Sequence, residues 1–105
     1  MNKFQNDECV KERIRHPKMY AVIFWNDHIT TAEFVIEALM KVFSLDFITA
    51  KKKMTEVDTL GQSRIGIYPR DIAETKKDEV LAMAKQQKMP FKVTVEIVDD
   101  EEEDI

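Results

Sequence analysis

Of the 105 residues, the stretch Tyr20-Ala21-Val22-Ile23-Phe24-Trp25 constrains the fold most. It is an uninterrupted apolar run, rich in β-branched and aromatic residues and too short for a buried helix, so it reads as a central strand. Asn26-Asp27-His28 ends it. Thr30 or Thr31 then offers an N-cap, and Thr30 with Glu33 three places on fits a capping box. Phe34, Val35, Ala38, Leu39, Val42 and Phe43 follow at helical spacing, giving one wide apolar face that ends near Phe43 or Ser44.

Asp46 suits a second N-cap. Phe47, Ala50, Met54 and Val57 continue at helical spacing as far as Gly61, a residue suited to a left-handed C-terminal position. Lys51-Lys52-Lys53 reads as the solvated side of this helix. Arg64 to Tyr68 alternates between Ser63 and Pro69 as a strand, in which Gly66 marks close approach by a neighbouring element. Pro69-Arg70-Asp71 opens a third helix with Ile72, Ala73, Val80, Met83 and Ala84 facing inward. Phe91 to Ile97 alternates apolar and polar, as a half-exposed antiparallel strand does. The expected fold is therefore α+β in the order βααβαβ, a three-stranded antiparallel sheet packed with three helices around one core.

Before this domain, which is expected over residues 19–98, the polar segment 1–18 reads as a flexible arm. Residues 99–105 read as an acidic tail whose like charges repel one another. Sixteen basic and twenty acidic residues give a net charge of −4, with no basic patch interleaved with aromatics, which argues against nucleic acid as a partner. The single cysteine, Cys9, permits no internal disulfide, and no apolar run has signal-peptide or membrane-spanning length. A cytoplasmic location and no membrane partner are expected. The only serines are Ser44 and Ser63, so no nucleophile and base stand together and no enzyme is expected. Nor do two histidines without clustered cysteines give metal-ligand spacing, and no cofactor is expected.

With this element order in hand, four pieces of sequence become specific in combination. These are Asn26-Asp27 followed by Thr30, the helix start Glu33-Phe34-Val35, Ala73-Glu74-Thr75-Lys76 in the third helix, and Pro90 leading into the last strand. From Tyr20 to Glu96 the chain resembles the ClpS family. Its members are small adaptors that hand substrates of the bacterial N-end rule to a Clp-family AAA+ unfoldase and its protease. The resemblance implies a monomer that grips the free α-amino group and the large hydrophobic side chain of a substrate's first residue.

Position by position, the resemblance puts the α-amino contacts on Asn26, His28 and Asp58. The usual family form has Asn-Asp-Asp at the strand end and His after the last Val of the second helix. Here His28 and Asp58 exchange carboxylate and imidazole, keeping one anion, one imidazole and one amide oxygen. Such a set suits an ammonium, which needs convergent acceptors. The implied hydrophobic pocket comprises Ala32, Val35, Met54, Val57 and Phe91. Ala32 replaces a common Met at the rim, so Ile and Val are expected as substrate first residues alongside Phe, Leu, Tyr and Trp. The resemblance also makes Asp71 and Lys76 exposed contacts to the unfoldase's N-terminal domain. A structural or ribosome-associated module of similar shape is the alternative, but it gives no reason for Asn26, His28 and Asp58.

Overall fold

A computed structural model describes residues 17–98; the expected arm, Cys9 and the acidic tail lie outside that range, apart from the arm's last two residues. The element order is β1 (Met19–Trp25), α1 (Ala32–Phe43), α2 (Phe47–Leu60), β2 (Gln62–Pro69), α3 (Arg70–Gln86) and β3 (Lys92–Val98). The apolar run is the central strand: the sheet order is β2-β1-β3, and both pairings are antiparallel. The α+β arrangement matches the expectation from periodicity.

Ala21 to Phe24 are all buried in β1, which has a strand on each side; the helices cover the face that carries Val22 and Phe24. Val22 and Phe24 face the main core with Phe34, Leu39, Val80 and Phe91. The Phe24 ring meets Phe43 and Phe91 edge-on, with centroids 5.6 and 4.9 Å away, and Phe91 meets Phe34 at 5.8 Å. Burying each such ring contributes roughly 1.5–3 kcal/mol, with a further gain from edge-to-face geometry. Ring packing thus joins β1 and the residue that leads into β3 to α1.

Both early helix caps are local. Thr31 caps α1 by accepting from the Phe34 N–H at 3.1 Å, and Asp46 caps α2 by accepting from the Thr49 N–H at 3.4 Å. The capping box at Thr30 does not form, because the N-cap of α1 is Thr31, one residue later. The six inward residues of α1 are those its periodicity gives. In α2, Ala50 and Val57 are buried, whereas Phe47 in the first turn is 53% exposed. The Lys51–Lys53 face is not wholly solvated: the Lys53 Nζ donates to the Arg64 carbonyl at 3.2 Å.

β2 begins two residues earlier than its alternation suggests, since Gln62 and Ser63 pair with Trp25 and Phe24. Ser63 can be buried there because its hydroxyl donates to the Glu56 carboxylate at 2.7 Å. What crowds Gly66 is Tyr68, two residues along the same strand: a Cβ on Gly66 would lie 2.5 Å from the Tyr68 hydroxyl oxygen. In α3, Ala73, Val80 and Ala84 are buried and Met83 is half-buried, but Ile72 is 43% exposed and does not face inward.

Candidate functional site

The polar interruption after β1 folds into a turn held by Asp27. Its Oδ1 accepts the N–H groups of Ile29 (2.8 Å) and Thr30 (2.7 Å), and its Oδ2 accepts the Thr30 hydroxyl (2.7 Å). This is an Asx-type turn, in which a short acidic side chain takes hydrogen bonds from the backbone just ahead of it. Burial works against the Asp27 charge. The hydrogen bonds from Thr30 and Ile29, with a smaller contribution from neighbouring His28, outweigh it and hold the pKa below the usual aspartate value.

A second tie joins this turn to the far end of α2. Gly61 terminates α2 in the left-handed region (φ 86°) and its N–H donates to the Val57 carbonyl. Its own carbonyl accepts the Asn26 N–H at 2.9 Å. The end of β1 and the last turn of α2 are thereby held side by side, with Asn26 on one and Asp58 on the other.

Two separate concavities, of about 400 and about 270 Å³, adjoin α1 and α2, and their chemistry differs. The larger lies between α1 and the start of α2, against Ile36, Met40 and Phe47. Of its three charged lining residues, Glu37 pairs with Lys41 at 2.9 Å and accepts from Gln87 at 3.4 Å, and Glu33 is the third; the rest of the wall is apolar. The smaller, at the end of β1, is lined by Asn26, Thr30, Ala32, Val35, Met54, Val57 and Asp58. Val35 and Val57 are its buried floor, Met54 and Thr30 are half-buried, and Asn26, Ala32 and Asp58 are exposed at its mouth. The side chains of Asn26 and Asp58 have no hydrogen-bond partner among the described residues. Such a site offers an amide and a carboxylate beside an apolar wall, in a volume below the roughly 300–1,000 Å³ typical of sites for drug-sized ligands. It suits one apolar side chain with a cationic head.

Of the residues expected here, Asn26, Asp58, Ala32, Val35, Met54 and Val57 come together, and His28 and Phe91 do not. Phe91, 6% exposed, is a core residue wedged against Phe24 and Phe34. His28 is exposed and outside the lining, because the Asp27 turn carries residue 28 outward and brings Thr30 back. Thr30 is the lining residue that sequence reasoning missed; an Asp followed three places on by Thr is the turn signal that could have found it.

On α3, Asp71 is exposed and its carboxylate accepts the Ile72 N–H at 2.9 Å. Lys76 corrects the expectation of an exposed contact. It is half-buried, its Nζ donates to the Val42 carbonyl at 3.0 Å, and it stands over the rings of Phe43 (5.5 Å) and Tyr68 (5.4 Å). Among the described residues no group of three or more His, Cys, Asp or Glu could hold a metal ion, and no helix is long and apolar enough to cross a membrane.

Known proteins resemble this chain along most of its length. The adapter ClpS of Clostridium acetobutylicum is 44% identical over 91 residues, covering 85% of this chain and 90% of its own. That of Campylobacter jejuni is 40% identical over 96 residues, covering 91% of this chain and 98% of its own. A solved structure of Agrobacterium tumefaciens ClpS2 bound to L-phenylalaninamide superposes with a TM-score of 0.77 at 34% identity, covering 79% of this chain and 100% of that one. The family model described as ATP-dependent Clp protease adaptor protein ClpS matches residues 15–94. By fold and by sequence alike, the chain belongs to the ClpS family of Clp protease adaptors.

Proposed function

We propose that this adaptor binds the first residue of proteins carrying a free α-amino group and a large hydrophobic side chain, and delivers them to a Clp-family AAA+ unfoldase. One observation carries the reading: Asn26 and Asp58, both without partners among the described residues, face one small hollow floored by Val35, Val57 and Met54. An ammonium needs acceptors with an anion among them, and an apolar side chain needs the floor. The related ClpS2 structure holds L-phenylalaninamide, which presents the same two features, a free amine and a benzyl group.

In this reading Asp58 supplies the anion. His28 faces solvent beside the site and contributes no acceptor, so the exchange of acid and imidazole leaves the pocket one carboxylate and one amide. The small Ala32 leaves the mouth open to β-branched Ile and Val as well as Phe, Leu, Tyr and Trp. Docking on the unfoldase's N-terminal domain uses the exposed face of α3 that carries Asp71, and Lys76 acts from beneath that face as a support.

Fluorescence anisotropy with a peptide beginning in Phe, and its N-acetylated twin, tests the amine contact, because acetylation removes the charge. Binding of the free peptide alone, weakened about 10- to 100-fold by Asp58→Ala, is expected from loss of a charged hydrogen bond. Equal binding of the two peptides overturns the reading. In the same assay, Ile and Val peptides bind within about a hundredfold of the Leu peptide, a span of about 2.7 kcal/mol.

A further inference from the structure

Resting on the amine-binding reading above, we propose that Thr30 is a third hydrogen-bond acceptor for the substrate's ammonium group, held in that role by Asp27. An ammonium presents three donors and no acceptor. Asn26 and Asp58 answer two of them from opposite sides of the mouth, one from the end of β1 and one from the last turn of α2. Thr30 is the remaining polar side chain in the lining.

The hydroxyl's hydrogen bonding decides what it can offer. Its single proton is committed to Asp27 Oδ2 at 2.7 Å, and the Thr30 N–H is committed to Oδ1 at 2.7 Å. A hydroxyl has one proton and two lone-pair sites. Toward a ligand, therefore, Thr30 Oγ1 can only accept, and among the described residues no donor reaches it. Donation to a carboxylate also polarises the hydroxyl and strengthens it as an acceptor. A wholly apolar use of Thr30, through its methyl group alone, would leave the ammonium's third donor to water at the exposed mouth.

The test pairs two ligands with two variants. One peptide begins with Phe; its twin begins with 3-phenylpropanoyl, which keeps the benzyl group and lacks the amine. Affinities are read by ¹⁵N-HSQC titration, which reaches millimolar dissociation constants and reports the fold of each variant. Thr30→Val keeps the branched shape and removes the oxygen; Thr30→Ser keeps the oxygen. Expected is an approximately tenfold or greater loss of affinity in Thr30→Val for the amine peptide only, with Thr30→Ser within about threefold of wild type. Equal weakening of both ligands by Thr30→Val, or no weakening of the amine peptide, overturns the proposal. If the wild type binds both ligands alike, the amine-binding reading itself fails, a separate outcome. Should Thr30→Val not fold, the wild type still decides. Dimethylating the N-terminus keeps its charge and leaves one donor, so it is expected to weaken binding about tenfold or more. Undiminished binding of the dimethylated peptide overturns a three-acceptor site.

Discussion

Asp27 lies one residue from the expected amine-binding set and touches no ligand in the reading above, yet the loop's shape depends on it. Replacing it by Asn removes the charge and turns one acceptor into a donor facing the N–H and O–H groups of residues 29 and 30. A loss of about 1–3 kcal/mol in denaturant unfolding is expected from the unmet hydrogen bonds, with weaker peptide binding as the loop loosens. Its pH dependence follows from the lowered pKa. The folded protein holds this carboxylate ionised below the unfolded value near 3.8, so its contribution is fully present well above that pH. It disappears as pH falls through the folded pKa. Melting temperature measured from pH 6 down to pH 2.5 should decline below about pH 4, less steeply in Asp27→Asn than in wild type. The same turn explains what could be read of the site beforehand. Periodicity located the end of the strand and the last turn of the helix, but Asn26 and Asp58 were legible as site residues only through the resemblance to the ClpS family. The orientations of His28 and Thr30 depend on a side-chain hydrogen bond that no periodicity encodes.

At the level of elements, α3 does two jobs on neighbouring faces. Ala73, Val80 and Ala84 pack on the core, while Lys76 reaches across to the last turn of α1, where unpaired carbonyls and the negative end of the helix dipole attract a cation. Lys76→Ala is expected to cost about 1–2 kcal/mol of stability through the lost Val42 contact and the lost packing of its stem. Asp71→Ala removes an exposed carboxylate together with its hydrogen bond from the Ile72 N–H in the first turn of α3, and is expected to cost about 0.5–1 kcal/mol, less than Lys76→Ala. In a pull-down with the unfoldase's N-terminal domain, Asp71→Ala should weaken docking all the same, and unchanged binding there would remove Asp71 from the interface. Helix faces were legible because hydrophobic spacing reports the core directly, except in the first turns of α2 and α3, where Phe47 and Ile72 stay exposed. Lys76 was not, because a lysine in a polar helical stretch carries no mark of the carbonyl it reaches. β2 was placed short at its start for a related reason: Ser63 is buried only because Glu56, seven residues earlier, accepts its hydroxyl.

Across the whole molecule, the candidate pocket exists because two chain ends of regular structure, far apart in sequence, are fastened together. β1 stops at Trp25 and α2 stops at Leu60, and the Asn26 N–H to Gly61 carbonyl bond sets the distance between the two polar side chains at the mouth. Gly61 is where that fastening is vulnerable. A Cβ there would meet nothing within 4 Å, so crowding is not the issue, but φ of 86° is a left-handed conformation that β-carbon sterics disfavour. Gly61→Ala is expected to cost about 1–2 kcal/mol, either as strain or by shifting the last turn of α2. Gly61→Asn should cost less, since Asn tolerates the left-handed region best after glycine. If the turn shifts, Asn26 and Asp58 no longer face one point, and affinity for an amine-bearing peptide falls further than stability alone explains. Comparing the two variants at a temperature where both are folded separates these effects. Weaker binding in Gly61→Ala than in Gly61→Asn, with a constant fraction folded, would show that the pocket depends on how α2 ends. Equal binding would show that the side chains converge without that fastening.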